Sequence, residues 1–281
     1  MKLYEIYKII DNVAPKSLSD EYCRAFGAYD NSGVLVDTGD EITGVLFSLD
    51  LSFAAIEKAK KAGANLIVSH HPAIYGKIGD IRQSDFEPLD KKLIEAIKNG
   101  ISVVSMHLNL DVAAGGIDES LMQGVCISAI KEKDLDCATS IGLIGTPECA
   151  LMHAFNGVGY GRAYNVNEIS LGGLTQGISE IFKTDKIAVY GDKNKQIKRV
   201  ASFCGAGGDE EAVRFAKEQG ADVILSADFK HHVLALAVEK GLCVIALTHY
   251  ASEEYGFNQF YKKISRSIAL PCVYHTDEVM L

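Results

Sequence analysis

Short apolar runs recur along the chain, and amphipathic segments that end near a glycine lie between them. Residues 45–50 and 65–69 are two such runs, and the segment 53–62 between them has the pattern of a helix. Units of helix, glycine and buried strand favour parallel strand pairing, with helices covering the faces of the sheet. We therefore predict an α/β fold.

The pattern occurs twice. Residues 59–69 and 216–226 each combine a helix end carrying cations, a glycine and a buried strand, and residues 99–107 and 240–249 each lead from a glycine through a strand to a histidine. Part of this similarity would be found between any two helix–strand units, so the match could reflect the fold class alone and not a true repeat. Both interpretations predict the same fold class. We predict two related α/β lobes with mixed, mostly parallel sheets flanked by helices.

A region of different character separates the lobes. It contains the glycine-rich segment 156–162, which lacks the Lys-Ser/Thr ending of a phosphate-binding loop and is predicted to be a turn in a small β-containing segment. A short helix is expected at 175–182 and a strand at 186–190. The predicted domains are an N-terminal lobe (1–125), a middle connecting region (126–197) and a C-terminal lobe (198–281), with a metal site between the lobes.

Histidines and carboxylates follow the predicted strands. His70 and His71 end a buried run before Pro72, where open α/β sheets place their sites. The two matched units then each end in His-x-x-x-carboxylate, a spacing that projects both side chains from one helical face. Nitrogen and carboxylate donors suit Zn, Fe, Mn, Ni or Co, and six candidates suggest a two-metal site with a bridging carboxylate. The candidates are His70, His71, His107, Asp111, His249 and Glu253.

The remaining histidines are predicted to be structural. His153 lies in an apolar run, His231 and His232 are placed to begin a helix, and His275 has no evident partner in the sequence.

Composition narrows the classes of function. The chain has 281 residues, of which 48% are hydrophobic and 23% charged. These fractions are typical of soluble globular proteins, and we expect the chain to be one. Seven scattered cysteines without a Cys-x-x-Cys pair argue against a thiolate zinc site and for a reducing, cytoplasmic location. The net charge of −9 makes nucleic-acid binding the weakest hypothesis. The sequence predicts no membrane span and no signal peptide.

Several motifs together resemble the NGG-one-interacting-factor-three-like family, also known as GTP cyclohydrolase I type 2 homologues or dinuclear metal centre proteins. The resemblance extends over nearly the whole chain. The motifs that carry it are Asp30-Asn31-Ser32-Gly33, Ser69-His70-His71-Pro72, His107-Leu108-Asn109-Leu110-Asp111, Gly115-Gly116-Ile117-Asp118, Cys204-Gly205-Ala206-Gly207-Gly208-Asp209 and His249-Tyr250-Ala251-Ser252-Glu253.

The resemblance implies two divalent metal ions and five ligands. Glu253 would bridge the ions, His71 and Asp111 would complete one site, and His70 and His249 would complete the other. The resemblance also implies a homohexamer with the metal sites facing an internal cavity.

Small departures from the family pattern leave all five ligands in place. Leu108, Thr248 and Ser226-Ala227-Asp228 differ from the usual residues, so the groups that surround the ligands could differ as well.

The predicted function is metal-dependent hydrolysis of a small molecule, with opening of the imidazole ring of GTP as the reaction implied by the resemblance. His107 would be the catalytic residue, moving protons or orienting a ligand or substrate group, although an unassigned carboxylate could move the protons instead. The alternative is a non-catalytic metal-binding protein, either regulatory or a metal chaperone, that acts through protein partners.

Overall fold

A computed structural model describes the protein over residues 1–76, 78, 80–82, 88–130 and 147–281. The chain forms two compact units, of which one comprises Met1–Gly116 and Phe257–Asp277 and the other Ile117–Gly256 and Glu278–Leu281. None of the helices in these described residues has both the length and the apolarity that a membrane span requires.

Helices and strands are interspersed along the chain. Up to residue 130 they are α1 (Leu3–Asp11), α2 (Lys16–Phe26), β1 (Gly33–Val36), β2 (Val45–Ser48), α3 (Phe53–Ala62), β3 (Leu66–Ser69), α4 (Pro88–Lys98), β4 (Ser102–Ser105), α5 (Leu108–Val112) and α6 (Ile117–Ser128). From residue 147 they are β5 (Cys149–Phe155), β6 (Val158–Ser170), α7 (Leu171–Phe182), β7 (Ala188–Tyr190), β8 (Gln196–Ser202), α8 (Glu210–Glu218), β9 (Val223–Ser226), α9 (His231–Glu239), β10 (Cys243–Ala246), α10 (His249–Ile264), a 3₁₀ turn (Ser265–Ser267) and β11 (Cys272–His275).

The first unit is built on a five-stranded sheet in the order β1-β4-β3-β2-β11, in which β1 is antiparallel to β4 and the other neighbours are parallel. Helices α3 and α4 cover it. Their residues Ile56 and Leu93 join Leu46, Ile67 and Val103 of the strands in one buried cluster. The predicted buried strand before His70 is therefore confirmed as β3.

Register brings the ends of three strands in this sheet together. Ser48, Ser69 and Ser105 are the last residues of β2, β3 and β4, and they are paired across the sheet in one row. Parallel strands expose their carboxyl ends at one edge, so residues that follow these serines leave the sheet side by side. This places His70 and His107 at the same edge.

The second unit contains a six-stranded sheet in the order β5-β6-β8-β9-β10-β7. Strands β8, β9 and β10 are parallel, whereas β5, β6 and β7 pair antiparallel with their neighbours. The antiparallel strands come from the predicted middle region. A tight turn joins β5 to β6 at Asn156 and Gly157, whose φ values of 47° and 81° fit a two-residue hairpin. The predicted glycine-rich turn is thus a hairpin, and the predicted α/β class with two helix-flanked sheets is confirmed.

The two sheets repeat one local pattern. Gly63 follows α3 with φ 68° and leads into β3, and Gly220 follows α8 with φ 67° and leads into β9. A left-handed residue at this position satisfies the last carbonyls of the helix and turns the chain toward the sheet, which is why glycine occurs at both. His107 and His249 follow β4 and β10, as predicted.

Two details of the middle region differ from the sequence prediction. Helix α7 begins at Leu171, four residues before the predicted start, because Ser170 Oγ caps it by accepting a hydrogen bond from the backbone N–H of Gly173 at 3.1 Å. The predicted strand at 186–190 is shortened to Ala188–Tyr190. Residues 131–146 of this region, with Cys137, lie outside the described residues. Within the described residues, no disulfide joins the other six cysteines.

Candidate metal centre

Three imidazole rings lie together at the carboxyl edge of the first sheet. The ring centroids of His70 and His71 are 4.9 Å apart, those of His70 and His107 are 5.2 Å apart, and those of His71 and His107 are 5.9 Å apart. One ring nitrogen from each residue lies within 4.8 Å of those of the other two, so the group could hold a metal ion.

The strand ends fix the backbone of the two adjacent histidines. The N–H groups of His70 and His71 both donate to the carbonyl of Leu49, at 3.1 and 3.0 Å. Ser105 Oγ donates to the His70 carbonyl and Ser69 Oγ donates to the His71 carbonyl, both at 2.8 Å. The serine row that ends the strands therefore holds the histidine pair in place.

An oxygen atom orients each imidazole from behind. The Nδ1 atoms of His70, His71 and His107 donate respectively to the Met106 carbonyl at 2.8 Å, to Asp50 Oδ1 at 2.8 Å and to Asp30 Oδ1 at 2.7 Å. A neutral imidazole that donates from Nδ1 carries its lone pair on Nε2, the tautomer that a metal ion requires.

Asp111 adds a carboxylate to this group. It lies in the short helix α5, is buried, and places Oδ1 3.5 Å from Nε2 of His70. His107 is the residue just before α5, and its carbonyl accepts a hydrogen bond from the Asp111 N–H at 3.0 Å. The predicted helical turn from His107 to Asp111 is therefore present.

Asp30 is a strongly perturbed carboxylate near the site. Burial alone would raise its pKa, but hydrogen bonds from His107, Ser19 and Ser32, together with the charge of His107, hold the pKa well below its usual value. Burial alone would lower the pKa of His107, but the hydrogen bond to Asp30 and the nearby negative charges of Asp111 and Asp30 raise it. Each group therefore stabilises the charged form of the other.

Because the pKa values of Asp30 and His107 differ between the folded and unfolded states, the pair makes the stability of the folded protein depend on pH. This dependence is expected in protein from which metal has been removed with EDTA. The stability from Asp30 is present above its unfolded pKa of about 3.9 and is lost as the pH falls through the folded value. The stability from His107 is present below its unfolded pKa of about 6.5 and is lost as the pH rises through the raised folded value. We expect Asp30→Asn to lower the melting temperature most between about pH 4 and 6.5.

Thermal melts of parent and variant across pH 3 to 9 measure this effect. The exposed Asp37→Asn serves as the control and should give a small difference without this pH profile. A difference between parent and Asp30→Asn that stays constant over the whole range would contradict the assignment.

The second unit carries the other two predicted ligands. His249 begins α10 and Glu253 lies one turn later, with Nε2 of His249 3.1 Å from Oε1 of Glu253. Nδ1 of His249 donates to Asp228 Oδ2 at 2.6 Å. Glu253 is only 3% exposed. The predicted i, i+4 pair is therefore formed on one face of the helix.

Gly205 provides space for Glu253. A Cβ atom built on Gly205 would lie 2.3 Å from Oε1 of Glu253 and 3.2 Å from Nε2 of His249. The N–H of Gly205 donates to Ser252 Oγ at 2.9 Å, and the φ of Gly205 is +57°. The close approach of this turn to the carboxylate requires glycine.

Gly205→Ala is expected to displace the Glu253 carboxylate and to weaken metal binding by about 10- to 100-fold, because a supporting contact of a ligand is changed. The strained backbone should also cost about 1 kcal/mol of unfolding free energy. Titration with Zn²⁺ measures the first effect and urea unfolding the second. Gly157→Ala is the matched control, because its φ is +81° but a Cβ there would contact nothing within 4 Å. Equal metal affinities in the two variants would refute the role of Gly205.

Sequence reasoning overlooked two of the orienting carboxylates. Asp50 and Asp228 each lie two residues after a strand, β2 and β9 respectively, and each accepts from Nδ1 of a predicted ligand. A carboxylate two residues after a predicted buried strand was the available signal in both places. Asp30 was noticed only as part of a motif.

The histidines predicted to be structural lie elsewhere on the chain. His153 and His232 pair with Glu211 and Glu210, and His231 begins α9. His275 is the last residue of β11.

These features define an α/β protein with two helix-flanked sheets and with groups of His, Asp and Glu that could bind a metal ion. The model of the Duf34/NIF3 (NGG1p interacting factor 3) family matches residues 1–276, and the chain belongs to this family. Among curated relatives, the "GTP cyclohydrolase 1 type 2 homolog" of Clostridium perfringens is 31% identical over 259 residues, covering 90% of this chain and 87% of the relative.

Solved structures have the same fold. Staphylococcus aureus protein SA1388 superposes with a TM-score of 0.76 at 24% identity, covering 98% of this chain and 96% of that one. The structure described as reduced HcgD from Methanocaldococcus jannaschii gives a TM-score of 0.73 at 26% identity, covering 98% and 97%.

Proposed function

We propose that the protein is a dinuclear metal-binding hydrolase that acts on a small molecule, with opening of the GTP imidazole ring as the specific reaction. The observation that carries the proposal is the group of three imidazoles at one sheet edge, each donating from Nδ1 to an oxygen atom. Nitrogen and carboxylate donors of this kind suit two divalent ions of Zn, Fe, Mn, Ni or Co.

In this proposal five residues would hold the two ions. Glu253 would be the ligand shared by both ions, His71 and Asp111 would complete one site, and His70 and His249 would complete the other. Two observations support this set. Its three histidines each have Nδ1 hydrogen-bonded to an oxygen atom, and Gly205 leaves room for the Glu253 carboxylate.

A bound pair of this kind supplies Lewis acidity and lowers the pKa of a water molecule. In the proposed reaction, His107 is the residue that transfers protons. Asp30 holds the Nδ1 proton of this residue, so Nε2 is the atom that accepts and returns a proton. Ser32 Oγ accepts from the His107 N–H at 3.1 Å and helps to fix the ring.

The relatives named for GTP cyclohydrolase support the choice of GTP as substrate. Formate release from GTP by metal-replete protein tests it, with Glu253→Ala beside the parent. Turnover by the parent and at least 100-fold less by the variant is the expected result. Equal product from the two proteins would exclude a role for the proposed centre.

A non-catalytic metal chaperone or regulatory protein acting through protein partners is the second candidate, since the family name describes an interacting factor. It predicts metal binding without turnover. Metal analysis of gently purified protein beside His70→Ala separates the candidates when combined with the GTP assay. About two equivalents in the parent, fewer in the variant and no turnover would favour the second candidate.

We propose further that the protein is cytoplasmic and forms a homohexamer. The lobes would span 1–125 and 198–281, joined by 126–197, with the metal site between them.

Light scattering tests the homohexamer and should give about six times the mass of the monomer. A monomer at micromolar concentration would argue against the hexamer.

A further inference from the structure

A large aromatic side chain is exposed beside the imidazole group. Tyr75 is 66% exposed, and its ring centroid lies 6.4 Å from that of His107 with an interplanar angle of 71°. His107 itself is largely buried. An exposed tyrosine next to a buried histidine presents apolar ring surface where a ligand would approach.

The loop that carries Tyr75 is anchored. Pro72 and Ala73 are buried, and Asn31 Nδ2 donates to the Ile74 carbonyl at 2.8 Å. Tyr75 therefore reaches solvent from a fixed backbone. Because this backbone is held in place before a ligand binds, less conformational entropy is lost on binding.

His107 offers a polar group next to this ring. Its Nδ1 donates to Asp30, which directs Nε2 away from that carboxylate. An aromatic face and an imidazole nitrogen are complementary to a planar ring that carries nitrogen or oxygen at its edge. An aliphatic or purely ionic ligand would use at most one of the two groups.

We propose that Tyr75 binds the substrate by stacking on a planar heteroaromatic ring, such as a purine base, and holds the edge of that ring at His107. The inference rests on the proposed function, in which His107 acts on the substrate, and it names the chemical class of that substrate. Stacking of a base on an aromatic residue strengthens binding by about tenfold or more.

Calorimetric titration of the metal-loaded protein tests the proposal with three probes: GTP, ATP and ribose 5-triphosphate, which has the same phosphates and no base. The parent should bind at least one nucleotide about tenfold more tightly than the base-free probe. Tyr75→Leu should abolish this preference and Tyr75→Phe should keep it, because phenylalanine retains the ring. Affinity for ribose 5-triphosphate and metal content should be unchanged in both variants.

Tyr4→Ala is the matched control, because Tyr4 is 70% exposed but lies on α1 rather than on the loop of the histidines. It should bind all three probes like the parent. The proposal is overturned if the parent does not prefer a nucleotide, if Tyr75→Leu keeps the preference, or if Tyr75→Leu changes the oligomeric mass in light scattering. If the nucleotide preference depends on Tyr75 but no formate is released from GTP, the stacking role of Tyr75 is supported and the proposed hydrolase activity is excluded.

Discussion

Glu253→Gln is expected to lower the metal content from about two equivalents per chain to one or fewer, because a neutral amide replaces a carboxylate that bridges both ions in the proposed centre. The change keeps the size of the side chain. It also removes the negative charge that Nε2 of His249 faces at 3.1 Å. Elemental analysis after gel filtration measures the content, and Zn²⁺ titration should show affinity at least 100-fold weaker.

Glu254→Gln is the control for this prediction. Glu254 is the next residue of the same helix and is also buried, at 7% exposure. The same amide substitution therefore tests burial and helix context without changing the carboxylate beside His249. We expect the control to keep the metal content of the parent. If both variants have the same metal content as the parent, Glu253 is not a metal ligand.

His107→Gln is expected to reduce turnover of GTP by about 10²- to 10⁴-fold while leaving the metal content within error. The loss follows because glutamine cannot exchange a proton near neutral pH. Asp30→Asn should cause a smaller loss, because the histidine remains but its orienting carboxylate is gone. Initial rates of formate release, with metal analysis of the same samples, measure both effects.

His153→Gln provides the matched control for turnover, since His153 pairs with Glu211 and belongs to none of the candidate metal-binding groups among the described residues. Its rate should equal that of the parent. A His107→Gln rate within tenfold of the parent would exclude general acid–base catalysis by His107. Parallel loss of metal and turnover would instead place His107 among the ligands.

Local sequence patterns predicted the elements that carry the candidate ligands. The buried strand before His70, the helical turn from His107 to Asp111 and the helix that begins at His249 all follow from apolar periodicity and residue spacing within a few positions. The two helical turns form from contacts between near neighbours in sequence, and a run of buried apolar residues marks the strand even though its partners β2 and β4 are distant. A short window of sequence therefore contained the necessary information.

Bounds were predicted less well where a single side chain sets them. Helix α7 starts at Leu171 because Ser170 caps it, and a serine that precedes glycines is a weak signal in sequence. The antiparallel strands of the middle region joined the second sheet through pairing with β8 and β10, which a local pattern does not specify.

The sequence by itself determined the α/β class and the repeated helix–glycine–strand unit, and it supplied the candidate donor residues, because these depend on local periodicity and side-chain chemistry. The tertiary structure decided which carboxylates orient the imidazoles. Asp30 is hydrogen-bonded to His107, 77 positions away in sequence, and Asp228 to His249, 21 positions away. It also decided that Gly205 must lack a side chain, because the turn lies against Glu253. Strand register and packing bring these distant residues together, and neither can be read from the spacing of residues along the chain.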